Sequence, residues 1–312
     1  MTVVRILVSL ANAFGLTVNG LLVWLSLNRS PPAIGRYKYM ICTSACINIF
    51  YCIVHELVSV RYAVFNGILE MTYGGYVPFS NGTAQWLLFA YMELLLAIQI
   101  VTSWHFYFRY AIVCRPDWLK SWRMNACPVL FGVVILVSSV NCMLGHMTPG
   151  DDLGRAFYRL QLSVLDEATQ EWLANRATVP AVGFMCGLLV ISISLCLLGS
   201  ILIIHTIRLL PSDSVTKKMQ WQLLKSLLAQ ITVPFLMFDV SAIGVIMGVA
   251  FLDSGIPRWA LTSIEHCETL LPIADPLFFI FFVSGYRNAL RQIIGVKNKS
   301  AANTTTIMTT TL

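Results

Sequence analysis

The chain has 312 residues, of which 57% are hydrophobic and 12% charged, and its formal net charge is +6. Soluble domains contain about half apolar and a quarter charged residues, so this composition excludes an ordinary soluble globular protein. The basic residues lie in short segments beside long apolar runs. This arrangement is typical of membrane-protein loops that follow the positive-inside rule, and we expect no nucleic-acid partner.

Seven apolar stretches are long enough to cross a lipid bilayer. The hydrocarbon core needs about 20 predominantly apolar residues per helix. The predicted spans are Ile6–Leu27, Tyr39–Val60, Trp86–Phe108, Ala126–Gly145, Val179–Thr206, Leu223–Leu252 and Ala260–Ser284. The sequence therefore predicts an all-α membrane protein, a seven-transmembrane helix bundle.

Lys and Arg are distributed unevenly between the two sides of this bundle. Of the 21 Lys and Arg residues, 15 fall in the first, third and fifth loops and the tail, and 6 fall on the other side. We therefore expect the N-terminus outside and the C-terminus in the cytosol. Arg5 precedes the first apolar run as in a signal peptide, but that run exceeds the roughly 7–15 residues of a cleaved signal. We expect it to remain as a span.

A short amphipathic helix is predicted after the seventh span. Tyr286–Gly295 places aliphatic side chains on one face and Arg287 and Arg291, four residues apart, on another, which is typical of a helix lying on the inner leaflet. Residues 1–296 are thus assigned to the transmembrane domain with this helix. Residues 297–312, rich in Thr, are predicted to be a disordered cytosolic tail.

Ionisable residues within the spans are the candidate functional residues. Burying Asp or Lys at the bilayer centre costs roughly 2.5–3.5 kcal/mol on insertion scales, so such residues tend to face the bundle interior and mark function. Asp239 and Asp275 lie near mid-membrane. The candidate ligand-binding residues lie in the outer thirds of spans two, three and seven: His55, Glu56, Glu93, Glu265, His266 and Glu268. A hydrated structural role near the lipid headgroups is the alternative for this outer group.

Proline interrupts the backbone hydrogen bonding of spans six and seven. Pro234, Pro272 and Pro276 each lack the N–H that would donate to the carbonyl four residues earlier. We predict that these two spans move, with Pro234, Asp239, Asp275 and Pro276 as the conformational switch. Proline kinks are also common in membrane helices for packing reasons alone.

Two covalent modifications are candidates. Among the nine cysteines, Cys142 and Cys267 lie toward the outer ends of spans and form a candidate disulfide pair, whereas most others are expected to be small buried apolar residues. Asn81-Gly82-Thr83 is a glycosylation sequon in the first outer loop. Asn298 and Asn303 match the same pattern in the tail, but glycans are added only on the lumenal side, so Asn81 is the candidate site.

Motifs along most of the chain resemble the nematode serpentine chemoreceptors of the Str superfamily, the Str/Srj-like group that includes the diacetyl olfactory receptor. The residues that carry the resemblance are Gly35–Met40, Ile49–Tyr51, His105–Tyr110, Cys114–Pro116, Gln222–Leu227, Gln230, Pro234, Asp275–Leu277, Tyr286 and Arg287. The resemblance implies a G-protein-coupled receptor that binds a small odorant or soluble chemical in an outward-facing pocket. It also implies the plasma membrane, in particular the ciliary membrane of sensory neurons.

The resemblance further implies a surface that engages a heterotrimeric G protein, with the tail as a candidate arrestin site. The residues expected to form that surface are Arg109, Tyr110, Arg115, Lys217, Lys218 and Lys225. Two features depart from rhodopsin-like receptors. Phe108 stands where an acid usually precedes the arginine, and Asp275-Pro276 replaces the start of the Asn-Pro-x-x-Tyr motif. The activation switches of that larger class therefore cannot be carried over in detail.

Other functions remain as alternatives at this point. Buried Glu, Asp and His residues could serve an ion- or proton-coupled transporter, although the inverted repeats and Gly-broken helices of such carriers are not evident in the sequence. A membrane enzyme would need a metal-binding or nucleophile motif, and none is found. We therefore expect neither an enzyme nor a bound metal or cofactor. A seven-helix ion channel of the insect type would have a cytosolic N-terminus, contrary to the charge distribution.

Overall fold

The computed structural model describes residues 2–31, 34–65, 68–72, 81–115, 179–209, 215–236 and 258–295, with residues 74, 77, 79, 117–118, 132 and 174–176 in addition. In this part of the chain the helices are α1 (Thr2–Asn28), α2 (Tyr37–Val58), α3 (Asn81–Cys114), α4 (Val179–Leu209), α5 (Val215–Pro234), α6 (Arg258–Phe282) and α7 (Ser284–Ile293). The strands are β1 (Arg61–Phe65), β2 (Ile68–Thr72) and β3 (Ala174–Arg176).

Six of the predicted spans have a helix as their counterpart. The first three correspond to α1, α2 and α3, and the fifth, sixth and seventh to α4, α5 and α6. Span four and the second half of span six lie outside the described residues, apart from the single helical residue Gly132. Arg5–Asn28, Tyr37–Val58 and Trp86–Cys114 are each long and apolar enough to cross a membrane.

The helices pack side by side around a common interior. Helix α1 contacts α2 and α6, α3 contacts α2 and α4, and α5 contacts α4 and α6. Large apolar side chains that face away from this interior are half or more exposed, among them Leu10 and Phe14 of α1 and Ile201 of α4. In a bilayer such surfaces face lipid, since a membrane helix need not hide its apolar side chains from its surroundings.

An antiparallel sheet in the order β1-β2-β3 lies at one end of the bundle, hereafter the sheet end. Tyr62 pairs with Met71, and Met71 pairs with Asn175. Helix α2 ends at Val58, and the left-handed backbone of Ser59 (φ 45°) turns the chain from the helix toward β1. Strand β1 packs against α6, and this contact connects the sheet to the seventh span.

The amphipathic helix α7 lies at the opposite end, hereafter the Arg109 end. It follows α6 after a bend of 93°. The hydroxyl of Tyr286 is 2.8 Å from Ser30 Oγ, which fastens α7 to the segment after α1. A Cβ at Gly285 would collide with Pro31 Cγ, so the close approach requires glycine. The prediction of a short helix here is confirmed, with observed bounds of Ser284–Ile293.

Candidate functional site

The carboxylate of Glu268 lies buried at the sheet end of α6, with only 1% of the residue exposed. Tyr62 Oη in β1 donates to its Oε1 over 2.5 Å. Tyr91 Oη in α3 donates to its Oε2. Both carboxylate oxygens therefore accept a hydrogen bond, each from a different element of the fold.

Tyr51 of α2 completes this group, which we call the acid-tyrosine cluster: Glu268, Tyr51, Tyr62 and Tyr91. The Tyr51 hydroxyl oxygen is 3.3 Å from the Tyr91 hydroxyl oxygen and 3.3 Å from the backbone oxygen of Glu268. Its ring stacks on the ring of His55, with centroids 5.5 Å apart. The cluster therefore joins α2, α3, α6 and β1 around one carboxylate.

Strand β1 is bound to α6 through two acidic side chains one helical turn apart. The backbone N–H of Tyr62 donates to Glu265 Oε1 at 2.9 Å, in addition to the bond from its hydroxyl to Glu268. Burial, and then the nearby Glu268 carboxylate, raise the pKa of the Tyr62 hydroxyl. Tyr62 therefore stays protonated and acts as a donor.

His55 and Glu56 form a second polar group between α1 and α2. Glu56 Oε1 accepts from Ser9 Oγ at 2.5 Å, and its Oε2 accepts from Asn12 Nδ2 at 2.7 Å. Asn12 Nδ2 is also 3.1 Å from His55 Nδ1. Because the His55 ring is 5.8 Å from the Tyr91 ring, this group adjoins the acid-tyrosine cluster.

The other two candidate ligand-binding residues lie apart from the cluster. His266 is exposed on α6, away from the buried face that carries Glu268. Glu93 is half-buried, with both carboxylate oxygens enclosed, but it follows Tyr91 by two residues and so lies on nearly the opposite side of α3. The structure thus brings together four of the six predicted residues: His55, Glu56, Glu265 and Glu268.

A second buried network lies midway along the bundle, around Asp275. Asn48 Nδ2 is 3.4 Å from Asp275 Oδ2 and 3.3 Å from Asn19 Oδ1. Gln230 of α5 donates to the backbone oxygen of Asp275 at 3.4 Å. The predicted switch residue Asp275 thus connects spans one, two, six and seven.

Asn19 also replaces a backbone hydrogen bond that proline removes. Pro276 has no N–H to donate to the carbonyl of Pro272. Asn19 Nδ2 donates to that carbonyl at 2.6 Å, and α6 continues as a helix through both prolines. Pro234 ends α5, and a wider π-type turn follows at residues 235–236. Asp239, the remaining switch candidate, lies outside the described residues.

Arg109 is enclosed at the other end of the bundle, only 2% exposed. Its guanidinium donates to Gln220 Oε1 of α5 and lies 5.1 Å from the ring centroid of Tyr37 in α2. Tyr37 Oη is in turn 2.7 Å from His105 Nδ1. The sequence places Arg109 in the surface expected to engage a G protein, and in this structure Gln220 and Tyr37 hold it in the interior.

The other predicted G-protein contacts lie near the surface of the Arg109 end. Arg115, Lys218 and Lys225 are exposed, and Tyr110 and Lys217 are half-buried. Tyr110 belongs to α3, Arg115 directly follows that helix, and the three lysines belong to α5.

The candidate modification sites are described only in part. Asn81 is the first residue of α3. Cys267 is a free thiol in the structure, and its candidate partner Cys142 lies outside the described residues. The sequons of the tail and the tail itself, residues 297–312, also lie outside them.

The family profile described as "Serpentine type 7TM GPCR chemoreceptor Str" matches residues 5–155 and 153–291. The chain belongs to this family. This chain is 23% identical to a protein of Caenorhabditis elegans named "G-protein coupled receptor str-33". The alignment spans 322 residues and covers 93% of this chain and 90% of the relative. The predictions of a seven-transmembrane fold and of a nematode Str chemoreceptor are confirmed.

Membership of the Str family establishes the general function of this protein. It is a multi-pass membrane protein that senses chemicals, and its family implies small-molecule ligands and coupling to a G protein. The family is one of receptors and not of enzymes. The transporter alternative gains no support from these matches.

The three tyrosines of the cluster were not among the predicted site residues. Tyr51 precedes the predicted His55 by four residues, and this spacing places both on one face of α2. Tyr91 and Tyr62 belong to other elements, so the sequence offers no spacing that connects them to Glu268. Their contacts with Glu268 follow from the tertiary structure alone.

Proposed function

We propose that the receptor binds its ligand at the sheet end, against the acid-tyrosine cluster, and engages the G protein at the Arg109 end. The supporting observation is the position of Glu268, a buried carboxylate whose two oxygens are held by β1 and α3. A ligand group that donates a hydrogen bond would take the place of one tyrosine hydroxyl. Because each tyrosine belongs to a separate element, that exchange would change the packing of α6.

The coupling end works by release of the buried arginine. Arg109 is bound to α5 through Gln220, a neutral amide, and packs on the face of the Tyr37 ring. Movement of α5 away from α3 would break the bond to Gln220 and expose a cation toward the G protein. The exposed Arg115, Lys218 and Lys225 would then extend the same basic surface.

The proposed function also assigns an orientation and a location to the receptor. The sheet end faces outward and the Arg109 end faces the cytosol, in agreement with the excess of Lys and Arg in the loops at the Arg109 end. The tail at residues 297–312 would contact arrestin. We further propose the ciliary membrane of sensory neurons as the site of action, because a receptor for environmental chemicals must face the surroundings.

A heterologous cell that reports G-protein activation through calcium tests the proposed coupling. The cell expresses the receptor and is exposed to a panel of volatile and water-soluble compounds. We expect at least one compound to evoke a response, and Arg109→Ala to abolish it at equal surface abundance.

Arg115→Ala is the matched control, since Arg115 lies at the same boundary but is exposed. Its response should fall only partly. A normal response from Arg109→Ala would show that Arg109 is an interfacial anchor and would contradict the proposed coupling.

A further inference from the structure

Pro272 leaves one carbonyl of α6 without its helical donor. In an uninterrupted helix the N–H of residue 272 would donate to the backbone oxygen of Glu268, but proline has no N–H. Helix α6 nevertheless continues from Arg258 to Phe282. An unsatisfied carbonyl inside a membrane bundle is costly, and such a helix is tolerated because other groups supply the missing donor.

The hydroxyl of Tyr51 lies at this carbonyl. Its Oη is 3.3 Å from the backbone oxygen of Glu268, and Tyr51 is fully buried. The Tyr91 hydroxyl oxygen is a competing acceptor, also at 3.3 Å. A hydroxyl has a single proton to donate, so one of these two acceptors receives the main bond.

The carbonyl is the acceptor in greater need. It has lost its helical donor, and leaving it unpaired would cost the full desolvation of a buried polar group. Tyr91 already makes a hydrogen bond, because its hydroxyl donates to Glu268 Oε2. The same residue, Glu268, is therefore held at its side chain by Tyr62 and Tyr91 and at its backbone by Tyr51.

We propose that Tyr51 is a positioning residue of the seventh span: its hydroxyl replaces the N–H missing at Pro272 and keeps the Glu268 carboxylate between its tyrosine donors. This role deepens the proposed function, because it makes the backbone at the ligand site depend on span two. Loss of the hydroxyl loosens α6 at the turn between Glu268 and Pro272.

A double-mutant cycle between Tyr51 and Pro272 tests the assignment. Tyr51→Phe removes only the hydroxyl, and Pro272→Ala restores a backbone N–H for the Glu268 carbonyl. We expect Tyr51→Phe to lower the Tm of the receptor in detergent by about 1–4 °C. In the Pro272→Ala background, the same substitution should lower Tm by less than about 1 °C, because the carbonyl has regained its helical donor.

Tyr91→Phe is the matched control. Tyr91 donates to the side chain of Glu268, so its effect on Tm should be equal in both backgrounds. An equal effect of Tyr51→Phe in both backgrounds would overturn the proposal and assign the Tyr51 proton to the Tyr91 oxygen. If Pro272→Ala does not reach the membrane, Pro272→Gly supplies the same N–H.

Ligand-independent activation of the G protein is the second readout. Tyr51→Phe should change the basal signal at equal surface abundance, and the change should vanish in the Pro272→Ala background. The thermal cycle does not depend on signalling. A thermal cycle that behaves as expected with no change in basal signal would support the hydrogen bond and count against the proposed coupling. Failure of the thermal cycle would overturn the role of Tyr51 alone.

Discussion

The two ends of the bundle each enclose one ionisable side chain, but they hold it with opposite chemistry. At the sheet end, the acid Glu268 accepts hydrogen bonds from two phenol hydroxyls. At the Arg109 end, the guanidinium donates to the amide oxygen of Gln220 and packs on the Tyr37 ring. In the contacts that the structure describes, both groups are held by neutral partners.

Neutral partners of this kind leave a buried ionisable group able to exchange one partner for another. Separating a buried ion pair leaves two uncompensated charges and is strongly unfavourable. Separating an ionisable group from a neutral partner leaves at most one uncompensated charge, so exchange with an incoming ligand or with a G protein costs less. The sheet end is suited to an incoming donor, and the Arg109 end to an incoming acceptor.

Replacing Glu268 with leucine should have the largest effect. The substitution removes the common acceptor of Tyr62 and Tyr91 and leaves their buried hydroxyls without it, at a cost of about 1–3 kcal/mol for each unsatisfied group. We expect Tm to fall by about 4–8 °C in a thermal-shift measurement. Glu268→Gln is the control, since its amide oxygen still accepts. An equal Tm for both variants would contradict the structure of the sheet end.

Substitutions at Gln220 should have an intermediate effect and act on signalling. Gln220→Glu converts the neutral acceptor of Arg109 into a carboxylate, and charge-assisted pairs of this kind are stronger than bonds to neutral groups. We expect the basal G-protein signal to fall by about tenfold in a nucleotide-exchange assay. Gln220→Leu removes the acceptor and should raise the basal signal. If both variants signal like the wild type, the bond from Arg109 to Gln220 does not restrain signalling, and the proposed difference between the two ends is wrong.

Substitution of the sequon residue Asn81 should have the smallest effect on the receptor, and it tests which end of the bundle lies outside the cell. Asn81 begins α3 at the sheet end, so any N-linked glycan should be attached there and should leave signalling unchanged. Treatment with a glycosidase should shift the mass of the wild type and have no effect on Asn81→Gln. Asn298→Gln and Asn303→Gln should retain the shift. Loss of the shift in Asn303→Gln alone would place the tail outside the cell and reverse the assignment of the two ends.

The sequence predicts the helices well because bilayer thickness and apolar length determine them. It predicts Glu268 and Asp275 as important because charges are costly to place in a membrane helix, whereas Arg109 is predicted only through the resemblance to the Str receptors. The partners of these residues are harder to predict. Arg109 meets Gln220 across 111 positions of sequence, and an arginine at a span end is equally able to reach the interface.

The small sheet was not predicted, although a signal for its hairpin is present. Asn66-Gly67 stands between the residues of β1 and β2, and Asn-Gly between two apolar segments is a strong hairpin signal. Prediction from long apolar runs detects membrane spans, and it overlooks strands of five residues in a short loop. The contact of Tyr62 with Glu265 and Glu268 depends on the sheet, so the missed hairpin also concealed part of the candidate site.

The most direct test of the link between the two ends is the basal G-protein signal of Tyr62→Phe, Gln220→Glu and the double variant at equal surface abundance. Tyr62→Phe removes one donor from Glu268 and should raise the basal signal by about threefold. Gln220→Glu in the same chain should return the signal to the wild-type level or below. The new carboxylate keeps Arg109 buried at the coupling end, even when the sheet end has been altered. An elevated signal that persists unchanged in the double variant would contradict the account.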